Sequence, residues 1–174
     1  MSRGVFAYGS LAAPATMATL LGRPPVAGRD FVRTSLPGWA LSWNVCTDNT
    51  SPDRKVSYED PVDGTRPAIQ VLFLTVEPAP AARVEGVLIF LPAGALPALD
   101  AREGNYLRTS VGDAWTYVAR PASAARARRA IREGTARIRR DYYDTVAAAY
   151  RFHEGMPAVP EAPAPIVTLR RVRH

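Results

Sequence analysis

Cysteine, lysine and histidine are scarce in this 174-residue chain, which has one cysteine, one lysine and two histidines. With Cys46 alone, an internal disulfide or a multi-cysteine metal site is excluded, and a reduced compartment, the cytoplasm, is the expected location. His153 and His174 are too few and too poorly placed to indicate a metal centre or a triad. We therefore expect no metal and no cofactor, with a buried packing role for Cys46 and a surface or capping role for His153.

Long apolar runs are also missing. No stretch is long enough to span a bilayer, and the apolar run from Val5 stops at Gly9, too early for the core of a signal peptide. Secretion and membrane insertion are not expected. The chain is 47% hydrophobic and 22% charged, a balance typical of globular proteins. Its length suits one domain, so a single domain over residues 1–174 is predicted, with a proline-rich C-terminal extension from about residue 157.

The charge of the chain is unbalanced, with a net charge of +6 and a pI of about 10.0. Such basicity is typical of proteins that bind nucleic acid, so nucleic acid is considered as a partner. The arginines cluster in one segment without interleaved aromatic residues, which favours a solvated helix face over a nucleic-acid surface. These arginines are Arg126, Arg128, Arg129, Arg132, Arg137, Arg139 and Arg140.

Hydrophobic periodicity and turn residues predict a mixture of strands and helices. The predicted strands are 5–8, two short strands within 29–43 around Pro37-Gly38, 68–76 and 84–91 on either side of Pro78-Ala79-Pro80, a hairpin over 106–118 turning at Gly112-Asp113, and 166–172. The predicted helices are 14–21, 93–102 and a long one from Ser123, as its N-cap, through Ala149, with a weak point at Gly134. The polar segment Asn44–Pro67 is predicted to be a long loop that caps a pocket.

The first pattern that could carry chemistry is Tyr8-Gly9-Ser10-Leu11, between the first strand and the first helix. A glycine there lets the backbone approach a ligand, and the N–H groups that open a helix can bind an anion or a carbonyl oxygen. The alternative is a common structural turn with no ligand.

The second pattern is centred on Glu103, at the end of a short predicted helix and just before a strand. A half-buried carboxyl group has a raised pKa, which suits it to transfer protons near neutral pH. The alternative is a surface glutamate paired with Arg102 or Arg108.

Together, Tyr8-Gly9-Ser10-Leu11 and Asp100-x-x-Glu103-Gly104-x-Tyr106-x-Arg108-x-x-Val111 resemble the γ-glutamylcyclotransferase-like superfamily, which includes the AIG2-like proteins. The run Arg83–Leu91 is similar to that family's strand ahead of the catalytic segment. The resemblance implies an α+β fold, a small mixed β-sheet or barrel with flanking helices. It implies that Tyr8, Gly9, Ser10 and Leu11 bind the substrate through the turn and that Glu103 is the acid and base.

The resemblance extends to a Tyr-rich helix start, so Tyr106 and either Tyr142 or Tyr143 are expected to bind substrate, although tyrosines at helical spacing are commonly core residues. The implied activity is cyclisation of a γ-glutamyl amide to 5-oxoproline with release of an amine or amino acid. Hydrolysis, acyl transfer and non-catalytic ligand binding on the same fold remain alternatives. The turn lacks the asparagine of classical members, which leaves the amine half of the substrate open. A homodimer is also left open.

Overall fold

Two very long antiparallel strands form the centre of the fold, which is a computed structural model that describes residues 3–92 and 94–174. In these residues the strands are β1 (Val5–Ala7), β2 (Phe31–Asp48), β3 (Val56–Glu59), β4 (Gln70–Ile89), β5 (Tyr106–Val111), β6 (Ala114–Ala119), β7 (Ala136–Arg139), β8 (Ile166–Val167) and β9 (Arg170–Arg173). The helices are α1 (Pro14–Leu21), α2 (Ala95–Arg102), α3 (Pro121–Glu133) and α4 (Arg140–Phe152). A short 3-10 turn, Ser10–Ala12, precedes α1.

Seven of the described strands form one mixed sheet in the order β5-β6-β1-β4-β7-β8, with β2 paired to β4. Strand β1 is antiparallel to β4 and parallel to β6, whereas β4 is parallel to β7. Strands β3 and β9 form a separate antiparallel pair in which Tyr58 lies opposite Arg171. This mixed α+β architecture confirms the predicted fold class, and the hairpin of β5 and β6 has its predicted turn.

The core is built around β4, which is flanked by β1 and β2 at one end and by β7 and β2 at the other. The two ends of β4 are rich in apolar residues and buried, whereas its middle is largely exposed. The buried apolar side chains of β4 are Val71, Leu72, Leu74, Val76, Val84, Val87 and Ile89. All three residues of β1 are also buried, so the turn that follows β1 emerges from the centre of the sheet.

The predicted breaks in β2 and β4 are wrong. Pro37-Gly38 does not separate two strands but lies in a bulge of β2, where Gly38 has a φ of 82°. Pro78 and Pro80 likewise lie inside β4. The register between β2 and β4 is irregular here, because Pro37 lies opposite Arg83 and Trp39 lies opposite Pro78. Some β4 residues therefore have no partner on β2, and proline is tolerated in strands at such bulges.

The predicted loop over Asn44–Pro67 is wrong in part, because its first residues continue β2 and its middle forms β3. Buried hydrogen bonds explain how so polar a segment becomes ordered. The amide of Asn49, which is 1% exposed, donates to the carbonyls of Tyr58 (2.8 Å) and Pro67 (2.9 Å) and accepts the Tyr58 N–H at 2.8 Å.

The long helix predicted from Ser123 to Ala149 is two helices, α3 and α4, separated by β7. Gly134 ends α3 with a φ of 71°, the left-handed cap that glycine favours. The Ser123 hydroxyl does not cap α3 but bonds the backbone of Cys46, whose predicted burial is confirmed. Among the described residues, no helix is long and apolar enough to cross a bilayer.

The predicted C-terminal strand 166–172 is also divided. Strand β8 extends the main sheet beside β7, whereas β9 leaves it to pair with β3. The arginine cluster of the sequence is therefore distributed over α3, β7 and the start of α4 rather than along one helix face.

Candidate active site

A small cavity that opens to solvent lies where the turn after β1 faces the end of α2. It is lined by Phe6, Ala7, Tyr8, Gly9, Ser10, Leu11, Leu74, Glu103, Tyr106, Tyr117 and Tyr142. The two patterns found in the sequence therefore meet in one cavity, although 92 residues separate Leu11 from Glu103 along the chain.

The turn presents backbone to this cavity. The first N–H groups of a helix have no partner inside it, so those of Ser10 and Leu11 are free of helical hydrogen bonds. A Cβ atom added at Gly9 would lie 3.6 Å from a methyl carbon of Leu74 and 3.8 Å from the Tyr142 hydroxyl. Gly9 therefore leaves open the space between the turn and Tyr142.

Three side chains hold the turn in place. The Tyr8 hydroxyl donates to the carbonyl of Tyr117 at 2.6 Å, and the Tyr150 hydroxyl donates to the carbonyl of Tyr8 at 3.0 Å. His153 Nε2 lies 2.7 Å from the Ala12 carbonyl oxygen. His153 is only 4% exposed, so the surface role is wrong, whereas the alternative capping role is confirmed, since His153 is the C-cap residue of α4. Burial lowers the pKa of its imidazole. A neutral His153 can donate to Ala12 through Nε2–H.

Glu103 follows the last residue of α2, and backbone hydrogen bonds fix its position. Its N–H donates to Leu99 O, and its carbonyl accepts the N–H of Tyr106, both at 2.8 Å. The side chain is 18% exposed, and Arg102 Nε lies 3.4 Å from its Oε1. Burial raises the pKa of the Glu103 carboxyl, and the Arg102 charge offsets part of that rise. Among residues 3–92 and 94–174, no group donates a hydrogen bond to this carboxylate.

The neighbouring Asp100 is bound very differently. Arg108 donates to one of its carboxylate oxygens and the Tyr117 hydroxyl donates to the other, both at 2.8 Å. These bonds tie the end of α2 to β5 and β6. Because Arg108 is engaged by Asp100, the ion pair considered between Glu103 and Arg108 does not form, whereas the contact with Arg102 does.

The backbone of Leu74 in β4 positions two of the predicted tyrosines. The Tyr106 hydroxyl donates to Leu74 O at 2.9 Å, and the Leu74 N–H donates to the Tyr142 hydroxyl at 3.2 Å. Burial raises the pKa of Tyr142 to about 12, so this hydroxyl is neutral at neutral pH. Since its oxygen accepts from Leu74, its proton can be donated to a ligand.

Of the two alternatives on α4, Tyr142 lines the cavity and Tyr143 does not. The Tyr143 ring stacks on Trp43, with centroids 6.2 Å apart and an interplanar angle of 16°. Sequence reasoning also missed Leu74 and Tyr117, which reach the cavity through strand pairing between distant segments. No local signal marks either residue. Within the described chain, no group of histidine, cysteine and acidic side chains is arranged to hold a metal ion.

Gly86 lies in the Arg83–Leu91 run that is similar to the family's strand, and its presence there has a structural explanation. A Cβ atom at Gly86 would lie 2.5 Å from the carbonyl oxygen of Ala7 and 2.7 Å from the Phe6 ring. Strand β4 therefore approaches β1 closely enough at this point that only glycine fits. This contact sets the position of β1 immediately before the turn at Gly9.

Comparison with solved structures supports the same fold. An uncharacterized protein from Homo sapiens matches over 89% of this chain and 81% of its own, at 13% identity and a TM-score of 0.50. An Arabidopsis thaliana protein known from a solution structure is 24% identical over 70% of this chain and 73% of its own, with a TM-score of 0.42. A structure described as a gamma-glutamyl cyclotransferase is 14% identical over 69% of this chain and 68% of its own, with a TM-score of 0.43.

No family model and no curated protein sequence matches the chain. The likeness to the Homo sapiens protein, at 13% identity, is a similarity of fold alone. At these identities it carries nothing about activity or substrate, which must be argued from the site itself.

Proposed function

We propose that this protein cyclises a γ-glutamyl amide to 5-oxoproline and releases an amine, with no cofactor. The observation that carries the proposal is Glu103, a largely buried carboxyl group that lines the same cavity as Ser10 and Leu11, whose N–H groups make no helical hydrogen bond. A base and a set of backbone donors on one small cavity suit an acyl transfer that needs no other reagent.

In the proposed reaction the Glu103 carboxylate takes a proton from the α-ammonium group of the substrate. The amine then attacks the γ-carbonyl carbon, so that a new C–N bond closes a five-membered ring. The ring nitrogen then loses its remaining extra proton as the amide C–N bond breaks, and the departing nitrogen receives both protons through Glu103 and leaves as an ammonium ion. Because nucleophile and electrophile belong to one molecule, folding the substrate correctly can contribute about 7–11 kcal/mol to lowering the barrier.

The surroundings of the cavity support these roles. The raised pKa of Glu103 makes it a better proton acceptor than an exposed glutamate, and Arg102 keeps that rise limited. The N–H groups of Ser10 and Leu11 can stabilise negative charge on the carbonyl oxygen. The neutral Tyr142 hydroxyl supplies a further donor on the opposite wall.

The test is Glu103→Gln, which keeps the size of the side chain and removes its proton transfer. We expect 5-oxoproline formation from a panel of γ-glutamyl amides to fall about 10²–10⁴-fold. The exposed Glu154→Gln is the matched control and should retain full turnover. Product analysis separates the reactions, since hydrolysis would release glutamate instead of 5-oxoproline.

A stability measurement accompanies this test. The pKa of Glu103 in the folded protein is above its ordinary value of 4.5, so the folded state binds more protons and loses stability as pH rises through that interval. Glu103→Gln should therefore be at least as stable as wild type at pH 7. Undiminished turnover in a folded Glu103→Gln protein would remove Glu103 from the chemistry, and glutamate as product would indicate a hydrolase.

A further inference from the structure

A basic depression, which we call the outer groove, begins at the mouth of the cavity beyond Glu103. It consists of two adjoining hollows, of which only the first touches the cavity residues Ser10, Glu103, Tyr106 and Tyr142. The side chains that define it are Arg54, Lys55, Tyr58, Arg102, Arg139 and Arg171. Most of them come from the β3 region and β9, which lie outside the main sheet.

The outer groove has five cationic side chains and three acidic ones, which are Asp53, Asp141 and Glu103. Two cations are already occupied, since Arg139 binds Asp141 and Arg102 contacts Glu103. The other three, Arg54, Lys55 and Arg171, form no ion pair with any acid of the described chain. A site in which cations lack partners attracts an anionic ligand.

The fold holds Arg171 in this position. Arg171 lies directly opposite Tyr58 in the β3–β9 pair, and both side chains line the groove. Tyr58 is 4% exposed and carries the Arg139 guanidinium 4.8 Å above its ring. The strand end is tied down by His174, whose N–H donates to Lys55 O at 2.9 Å and whose ring lies 2.7 Å from the Ser57 hydroxyl.

From this arrangement we propose that the outer groove binds a carboxylate or phosphate group on the amine half of the substrate. The proposal rests on the proposed function, which places the γ-glutamyl half in the cavity. Arg54 and Lys55 border only the second hollow, which Glu103 does not line. They are therefore positioned for the leaving group and not for the α-carboxylate of the γ-glutamyl half. This chain then selects γ-glutamyl amides of acidic amines.

The test compares amides of one length that differ in the charge of the leaving group. The γ-glutamyl amides of β-alanine, β-alaninamide and phosphoethanolamine present a carboxylate, a neutral amide and a phosphate. We expect a higher kcat/KM for the anionic amides by about two- to fivefold for each ion pair formed. The preference should shrink as salt is added. Comparing the carboxylate with the phosphate shows which anion the groove prefers.

Arg171→Gln should lower this preference by about two- to fivefold, and Arg54→Gln with Lys55→Gln should lower it further. Arg170→Gln is the matched control. It removes the same charge from β9, but alternation along the strand turns Arg170 to the other face, where it binds Glu59 at 2.6 Å. The preference should survive in that variant.

Two failures can be told apart. Equal kcat/KM for all three amides, with 5-oxoproline released from each, overturns the outer groove and leaves the proposed function intact. Release of 5-oxoproline from none of them overturns the proposed function. Calorimetric binding of the amides to the Glu103→Gln protein then tests the outer groove by itself. Tighter binding of the β-alanine amide than of the β-alaninamide amide, lost with Arg171→Gln, supports the groove. Equal binding of the two amides overturns it.

Discussion

The inner cavity and the outer groove share Glu103 but are built in opposite ways. In the cavity, the hydroxyls of Tyr8 and Tyr106 are buried and each donates to a backbone carbonyl. In the groove, Arg54 and Arg171 are cations without acidic partners on the described chain. A wall whose polar groups are satisfied holds its geometry, whereas unpaired surface charges can adapt to a ligand. The contrast assigns positioning to the cavity and selection to the groove.

The same contrast is visible between two carboxylates at the end of α2. Asp100 accepts hydrogen bonds from Tyr117 and Arg108 and has a structural role. Glu103, three residues later, accepts none from the described residues and is held by its backbone, by burial and by the contact with Arg102. A carboxylate without donors has its pKa set by desolvation, which leaves it available to a substrate proton.

The largest effect is expected where the cavity depends on the contact between β1 and β4. Gly86→Ala places a methyl group against the carbonyl oxygen of Ala7, which cannot move without shifting β1. We expect the free energy of unfolding to fall by about 1–3 kcal/mol, measured by chemical denaturation. Gly9→Ala is the stability control, because its nearest neighbours would lie at 3.6 Å or more. An unchanged stability in Gly86→Ala would mean that β1 is not fixed by this contact.

A smaller effect is expected inside the cavity from Tyr142→Phe. The change removes the donor that faces the ligand and the acceptor for the Leu74 N–H. Loss of one such hydrogen bond is worth about 1 kcal/mol, so kcat/KM should fall about fivefold. Tyr143→Phe is the matched control on the same helix and should have wild-type kcat/KM, since its ring packs on Trp43. Equal losses in the two variants would contradict the assignment of Tyr142 to the cavity.

The smallest effect is expected at the boundary between the two regions, from Arg102→Gln. The Arg102 charge lowers the pKa of Glu103, so its removal raises that pKa further. Because Glu103 must be ionised to accept a proton, the acidic limb of the kcat/KM profile should move to higher pH. Arg132→Gln, an exposed change on α3, should leave the limb in place. A shift to lower pH in Arg102→Gln would contradict Glu103 as the base.

Local patterns were sufficient to predict the parts of the site that lie within one short segment. The strand and turn through Tyr8-Gly9-Ser10 and the helix end at Glu103 are each defined by apolar periodicity and by residues that stop an element. The hairpin of β5 and β6 was predicted for the same reason, with Gly112 at its turn.

Predictions failed where distant partners outweigh local preference. Pro78 did not break β4, because the bulge in its pairing with β2 accommodates it. Gly134 ended a helix that periodicity alone would continue, since β7 pairs with β4 immediately afterwards. His153 was predicted from its position after the helix to be a surface or capping residue, and it caps α4 in a buried position against the Ala12 carbonyl and the Phe31 ring.

The residues alone predicted a mixture of strands and helices, because short-range periodicity and turn chemistry are encoded in neighbouring residues. The resemblance carried by Tyr8-Gly9-Ser10-Leu11 and the Glu103 segment implied the α+β fold and joined these two segments in one site. Tertiary packing decided the rest, namely that Tyr142 and not Tyr143 lines the cavity with Glu103 and that β9 brings Arg171 opposite Tyr58. These contacts join segments far apart along the chain. Their free energy depends on burial and pairing that exist only once the sheet has formed.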